Sequence, residues 1–237
     1  MAPTITSPRR LARIAGLFYV IIIACGMWSE FSVRLFQINR GDVAETAINV
    51  ALHEGMFRLA FAADTVMAIS DVALAVLLYV LLRPAGTVLS LMAMTFRLVQ
   101  AAVIGASLLF YMAGILVVIG PWGLALEDRE NLAGLAFEIH AHGYDLGLVF
   151  FGIACVLLGL LVRRSGFLPR WLGALVMAVG PVYLVGSFLR FLAPDAASAF
   201  EPAYLLPLVA ETAFALWLLV RGVNEEAWRA AATPRPD

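Results

Sequence analysis

The stretch FRLAFAADTVMAISDVALAVLLYVLL (Phe57–Leu82), the turn RPAGT (Arg83–Thr87) and the stretch VLSLMAMTFRLVQAAVIGASLLFYMAGILVVI (Val88–Ile119) decide the fold. Each apolar run exceeds the roughly 20 residues that carry a helix across a bilayer. A Pro-Ala-Gly turn between them allows only a tight reversal, so the two helices are expected to be antiparallel neighbours. Charges interrupt both arms, at Asp64 and Asp71 in the first and at Arg97 in the second. An ionisable side chain at the bilayer centre costs about 2.5–3.5 kcal/mol on insertion scales, so each of these needs a partner, a cavity or a role.

The same pattern extends in both directions. The 237-residue, 25.6 kDa chain is 62% hydrophobic with mean hydropathy +0.92, against 45–50% apolar content in ordinary soluble domains. Further apolar runs cover Ile14 to Trp28, Gly143 to Val162, Trp171 to Leu192 and Tyr204 to Val220. The expected fold is therefore all-α, a polytopic membrane bundle of six transmembrane helices. Residues 1–224 form a single membrane domain, and 225–237 a cytoplasmic C-terminal tail. Nothing is left over for a second, soluble domain.

Charge sets the expected orientation. With the N-terminus inside, inner segments hold Arg9, Arg10, Arg13, Arg83, Arg163, Arg164, Arg170, Arg221, Arg229 and Arg235, and outer loops hold only Arg34, Arg40 and Arg129. Acids such as Asp42, Glu45, Glu127, Asp128 and Glu130 gather outside. This positive-inside asymmetry places both termini in the cytoplasm, with Trp28, Trp122 and Trp171 near span ends as an aromatic belt. In the first outer loop, Asp42 with Glu45 three residues on resembles a capping box, and Val43, Ala47, Val50 and Ala51 follow at helical spacing. Residues 43–53 are expected to form a short interfacial helix. The formal net charge of −1 gives a nucleic-acid partner no electrostatic support.

An N-terminal signal is the alternative use of the first span. Arg9, Arg10 and Arg13 precede an apolar run, and Ile22-Ile23-Ala24-Cys25 has the form of a lipoprotein cleavage box. Cutting there would leave five spans in the same orientation. The run stays apolar through Trp28 and no soluble lipoprotein domain follows, which favours a retained span. Cys25 and Cys155 lie at about 20 and 10 Å from the inner surface, too far apart for a disulfide.

Depth arithmetic locates a candidate site. Asp71 is eleven residues before the inner end of its span, Arg97 about ten after the start of the next, and Glu211 ten before Arg221. At 1.5 Å per residue all three lie about 15 Å deep. An Asp71–Arg97 ion pair is expected, with one guanidinium facing two carboxylates. Two acids around one base in low dielectric do not all ionise cheaply, so one is expected to keep its proton or hold a cation. Arg97, Gln100, Ser107 and Tyr111 share a stripe with Ile104, which turns the network inward.

A second layer lies nearer the outside. Asp64 and Asp145 both fall about 26 Å from the inner ends of their helices. Glu138, His142 and Asp145 share one face of the fourth span, and His140 and Tyr144 another. Tyr183, Ser187 and Arg190 form a stripe rising to the same region, with Arg190 as a counter-ion for Asp64 or Asp145. Glu138, His142, Asp145 and Asp64 are metal-ligand types, yet no His-Glu-x-x-His motif occurs, and neither a metal nor a cofactor is expected. No nucleophile elbow or phosphate-cradling glycine loop is present, so no catalytic residue is assigned. Gly143-x-x-x-Gly147 suits close helix approach or a homo-oligomer, and Pro181 and Pro207 are expected to kink their spans.

Arg13-Ile14-Ala15-Gly16-Leu17, Phe57-Arg58-Leu59 with Asp64 and Asp71, Leu78-Tyr79-Val80-Leu81-Leu82 and Phe96-Arg97-Leu98-Val99-Gln100 form a recognisable set. Tyr144-Asp145-Leu146-Gly147 through Gly152 and Ser165-Gly166-Phe167-Leu168-Pro169 complete it. The chain resembles the bacterial domain-of-unknown-function family numbered 4386 over about residues 10–224. The resemblance implies a six-span protein of the bacterial inner membrane with no established activity. The family pattern it implies includes acids matching Asp64, Asp71 and Glu211, a basic residue matching Arg97 and a histidine matching His140, while His142 departs from that pattern.

Three functions compete at this level. The favoured one is a non-enzymatic binding or carrier bundle, holding a small or amphiphilic ligand or a proton at Asp71, Arg97, Gln100 and Glu211 within the lipid bilayer. The alternatives are a structural or regulatory scaffold, and an intramembrane enzyme for a lipid-like substrate. In the enzyme, Asp64 and Asp145 would act as acid and base, assisted by His142 or Tyr144.

Overall fold

The computed structural model describes residues 7–233, so Arg235 lies outside the described residues. Among the described residues every regular element is helical. α1 (Pro8–Ser29) continues through a π-turn (Glu30–Arg34) into α2 (Leu35–Gln37), followed by α3 (Val43–Leu52) and α4 (Glu54–Leu82). A 3₁₀ turn (Arg83–Ala85) leads to α5 (Thr87–Ile119), then α6 (Leu126–Ser165) and α7 (Arg170–Leu192). α8 (Pro194–Phe200), a 3₁₀ turn (Glu201–Tyr204), α9 (Leu205–Val220) and α10 (Glu225–Ala232) end the chain. Six helical segments are long and apolar enough to cross a membrane, and the chain is a multi-pass membrane protein.

Two boundaries and one proline differ from the sequence expectation. The first helix does not stop at Trp28, because the π-turn carries it on to Gln37. The fourth begins at Leu126 rather than Gly143. Glu127 and Asp128 stabilise that early start at the positive end of the helix dipole. Pro207 does not interrupt its span but sits in the first turn of α9, where a missing backbone N–H leaves no bond unmade. Pro181 is inside α7. The helix at Val43–Leu52 forms as expected, capped by Asp42, whose carboxylate accepts from Glu45 N at 2.9 Å.

The chain divides into two compact units. The first comprises residues up to Ile21, Ser70–Gln100 and everything from Leu148 onward. Its α4–α5 hairpin is tied by Ser90 Oγ donating to Tyr79 O at 3.1 Å. α6 and α7 meet through a glycine seam. A Cβ on Gly159 would come within 2.5 Å of Gly173 O, and one on Gly152 within 2.9 Å of Gly180 O. The two contacts are seven residues apart on both helices, so the backbones touch every two turns, the geometry that small residues permit between membrane helices. At one end of this unit the chain's beginning and end are joined. Ser7 Oγ donates to Glu225 Oε1 at 2.8 Å, Trp228 Nε1 to Leu81 O at 2.7 Å, and Asn224 N to Phe167 O at 3.1 Å. Residues 225–232 are thus a docked helix.

The second unit holds Ile22–Ile69 and Ala101–Gly147. Its core is aromatic: Phe57, Tyr111 and Phe137 pack with centroids 5.5–6.3 Å apart, over Val33, Val50 and Ile115. Gly143 fits against Ser107, whose Cβ would lie 2.7 Å from a Cβ at that glycine. This side of Gly143 therefore packs within the chain.

Two outcomes follow from these contacts. Gly159→Ala forces a Cβ into α7 backbone and is expected to destabilise the protein by about 1–3 kcal/mol, measured by denaturation in detergent. At Glu225 the Ser7 hydrogen bond comes first, then Arg9 and Arg229, and together they hold the carboxyl below its ordinary value of 4.5. A depressed native value contributes stability above about pH 4.5 that is lost as pH falls below it. Amide protection factors in α10, corrected for the intrinsic pH dependence of exchange, are thus expected to fall on acidification more in the wild type than in Glu225→Gln at matched pH.

Candidate functional site

All six long helical segments send a side chain to one cluster in the first unit. The chemistry begins with Asp71 on α4 and Arg97 on α5, both 3% exposed. Arg97 Nε donates to Asp71 Oδ1 at 2.6 Å, and Nη2 lies 2.6 Å from the same oxygen. Gln100, one turn along α5, donates from Nε2 to Asp71 Oδ2 at 2.9 Å. The aspartate is therefore fully engaged, one oxygen by the guanidinium and the other by the amide. The faces of the guanidinium are covered too, with Arg97 Cζ 5.0 Å from the Tyr19 ring of α1 and 4.8 Å from the Phe151 ring of α6. Such stacking contributes about 2 kcal/mol when desolvated.

Glu211 of α9 is held differently. Tyr19 Oη donates to its Oε2 at 2.9 Å and Tyr183 Oη of α7 to its Oε1 at 2.6 Å. No hydrogen bond links Glu211 to Arg97, so the second carboxylate is met by hydroxyls and not by the guanidinium. Tyr19 serves both halves, its ring under Arg97 and its hydroxyl on Glu211. Cys155 is also buried here, on α6.

The expected Asp71–Arg97 pair is present, with Gln100 and Glu211 in the same cluster. Tyr183 belongs here rather than to the outer stripe with Ser187 and Arg190. Tyr19 escaped the sequence reading, although the depth arithmetic could have found it, ten residues past Arg9 and so about 15 Å along the helix.

The second unit has its own ion pair. Asp64 is fully buried, and Arg34 Nη1 donates to its Oδ2 at 2.5 Å. The partner of Asp64 is thus Arg34, not Arg190. The sequence placed Arg34 in an outer loop, whereas the π-turn keeps it helical and swings it toward α4. Arg34 also bonds Glu30 Oε2 at 2.7 Å and stands 5.4 Å from the Tyr144 ring. π-turns of this kind occur frequently at functional sites.

His140 lies in the same unit, 2% exposed, with its ring 5.2 Å from Tyr111 and 6.4 Å from Tyr144. Its Nδ1 is 3.1 Å from Ser107 O and 3.2 Å from Ser107 Oγ. Ser107 Oγ already donates to Ile104 O at 2.7 Å. Both atoms can then only accept, which assigns the proton to Nδ1 and leaves Nε2 as a bare acceptor. The stripe Arg97, Gln100, Ile104, Ser107 and Tyr111 is buried throughout, as its spacing predicted.

Of the remaining candidates, Asp145 is buried in the second unit, Arg190 is partly exposed in the first, and His142 is half exposed beside Glu138, with Nδ1 3.3 Å from Glu138 Oε1. Among the described residues no three His, Cys, Asp or Glu side chains are placed to share a metal ion.

The family model described as Domain of unknown function (DUF4386) matches residues 14–222. An uncharacterized protein of Archaeoglobus fulgidus is 34% identical over 154 residues, covering 65% of this chain and 78% of its own length. The likeness thus extends to an archaeal protein. No solved structure matches.

Breaking a buried ion pair leaves one charge uncompensated, at about 3–5 kcal/mol. Asp71→Leu and Arg97→Leu are each expected to destabilise the protein by about that amount, and the double variant by less than either alone. Unfolding in mixed detergent micelles measures all three.

Proposed function

We propose a function for a chain that belongs to the family described as Domain of unknown function (DUF4386): a non-enzymatic binding or carrier bundle of the bacterial inner membrane. Its site is the cluster of Asp71, Arg97, Gln100 and Glu211, which takes up a proton or a small amphiphilic ligand. The observation that carries this reading is the hydroxyl cage of Glu211. With both carboxylates ionised the cluster is one negative charge in excess, and with one proton on Glu211 it is neutral. Two tyrosine hydroxyls can serve either state, because each can donate to a carboxylate or turn to accept from a carboxylic acid. A purely structural ion pair would need only Asp71 and Arg97.

In this reading both termini are cytoplasmic, following the arginine asymmetry, and α3 lies at the outer interface. The joined ends at Ser7 and Glu225 support a common side for both termini. An enzyme using Asp64 and Asp145 has less support, since Asp64 is engaged at 2.5 Å by Arg34.

Glu211 is faced by Tyr19, Tyr183, Arg97, Asp71 and Cys155. Wild-type protein is expected to change its melting temperature between pH 5 and pH 9 more than Glu211→Gln does. About 1 kcal/mol of proton linkage corresponds to about 2–4 °C for a chain of this size. Superimposable pH profiles for the two proteins would overturn the proton role.

A further inference from the structure

A slot reaches this cluster at Arg97. It lies between α4, α5 and α6 in the first unit and encloses about 290 Å³, its open mouth included. Its walls are Ala75, Leu78 and Leu82 of α4, Ala93 and Met94 of α5, and Leu158 of α6. The lining spans seven residues on each helix, from the level of Ser90 to that of Arg97, a length of about 10 Å. The unfilled core is narrow, leaving about 20 Å³ for the centre line of an occupant. An unbranched chain matches that shape better than a ring does.

The only charged group in the lining is Arg97. Five N–H groups belong to a guanidinium, and among the described residues only Nε–H of Arg97 is aligned on an acceptor. Nη2 is buried without an aligned partner, although it is close to Asp71 Oδ1. The inner end of the slot therefore offers unused donors. Charge restricts what can meet them, because Asp71 and Glu211 already set two carboxylates against one guanidinium. A third anion would deepen that excess, and a cation would be repelled by the nearest charge, Arg97. An uncharged acceptor fits both constraints.

The mouth points to where such a molecule resides. The partly exposed lining residues are Tyr79, Ala93 and Met94, and beside them Val76, Leu91 and Met92 present an apolar surface on α4 and α5. On helices of membrane-spanning length this surface suits acyl chains.

The geometry points to a lateral binding site for a single-chain lipid with an uncharged carbonyl head, its chain in the α4–α5–α6 slot and its carbonyl oxygen on the free N–H groups of Arg97. This rests on the reading of the cluster as a binding site and names its ligand class.

Detergent-purified full-length protein tests it by thermal shift with methyl decanoate, decanoate, decylammonium and decane at equal concentrations. Methyl decanoate is expected to raise the melting temperature by several degrees and the other three by less than half as much. Ala93→Phe and, as a second obstruction at the mouth, Met94→Trp are expected to abolish that rise. Equal shifts with all four probes, a larger shift with decanoate, no shift with the ester, or an undiminished shift in both folded variants would each overturn the proposal. The Glu211→Gln pH comparison on the same preparations separates the two ideas. A flat wild-type profile with ester binding intact removes the proton role and leaves the lipid site.

Discussion

A guanidinium that is 3% exposed must have its charge answered locally, and Arg97 is answered by Asp71 at 2.6 Å. Taking both ions out of water costs several kcal/mol each after relaxation, which their attraction repays only with good geometry and further hydrogen bonds. Those further contacts determine how the first unit is built. Gln100 takes the second oxygen of Asp71, and Tyr19 and Phe151 cover the two guanidinium faces. Tyr19 then reaches Glu211, and Glu211 reaches Tyr183. One buried charge thereby fixes the rotation of every long helical segment about its axis. The apolar surfaces alone could not do this, since a lipid-facing Leu stripe tolerates many rotations.

α4 repeats the device once. Asp64 and Asp71 are seven residues apart on one face, and each meets an arginine from a different helix, Arg34 for the first and Arg97 for the second. Each arginine also lies against an aromatic ring. The two pairs differ in their surroundings. Around Arg97 the second acid is buried and caged by hydroxyls, whereas Glu30 beside Arg34 is half exposed. Buried polar groups that exceed what pairing requires are the ones that suggest binding, which is why the functional reading centres on the first unit.

The legible part of this site was the part fixed by counting. Asp71 and Arg97 follow from a five-residue turn and equal distances from it, because a hairpin sets residues equally far from the turn side by side. Glu211 followed from its distance to Arg221. Counting failed where position depended on rotation or on an irregular turn. Tyr183 lies only a few residues below Ser187 and Arg190 on α7, and only the packing of α7 against α9 turns its hydroxyl to Glu211 rather than outward. Arg34 followed Trp28 and Glu30 in a stretch of mixed polarity, and nothing in its composition announces a π-turn. The glycine seam of α6 and α7 was visible as glycines but not as pairs, because each contact depends on the register between two helices.

The amino-acid sequence by itself determined the helical class, the number of membrane-length segments, the tight α4–α5 reversal and the matching positions of Asp71 and Arg97 along their helices. These are one-dimensional quantities, set by apolar run length, by Pro and Gly, and by 1.5 Å of rise per residue. The tertiary structure decided which acid meets which base, that hydroxyls rather than a guanidinium hold Glu211, and that Arg97 ends a slot with N–H groups to spare. Those outcomes depend on the azimuth and register of helices distant in the chain. Those are settled only when all the buried charges and close backbone contacts are satisfied together.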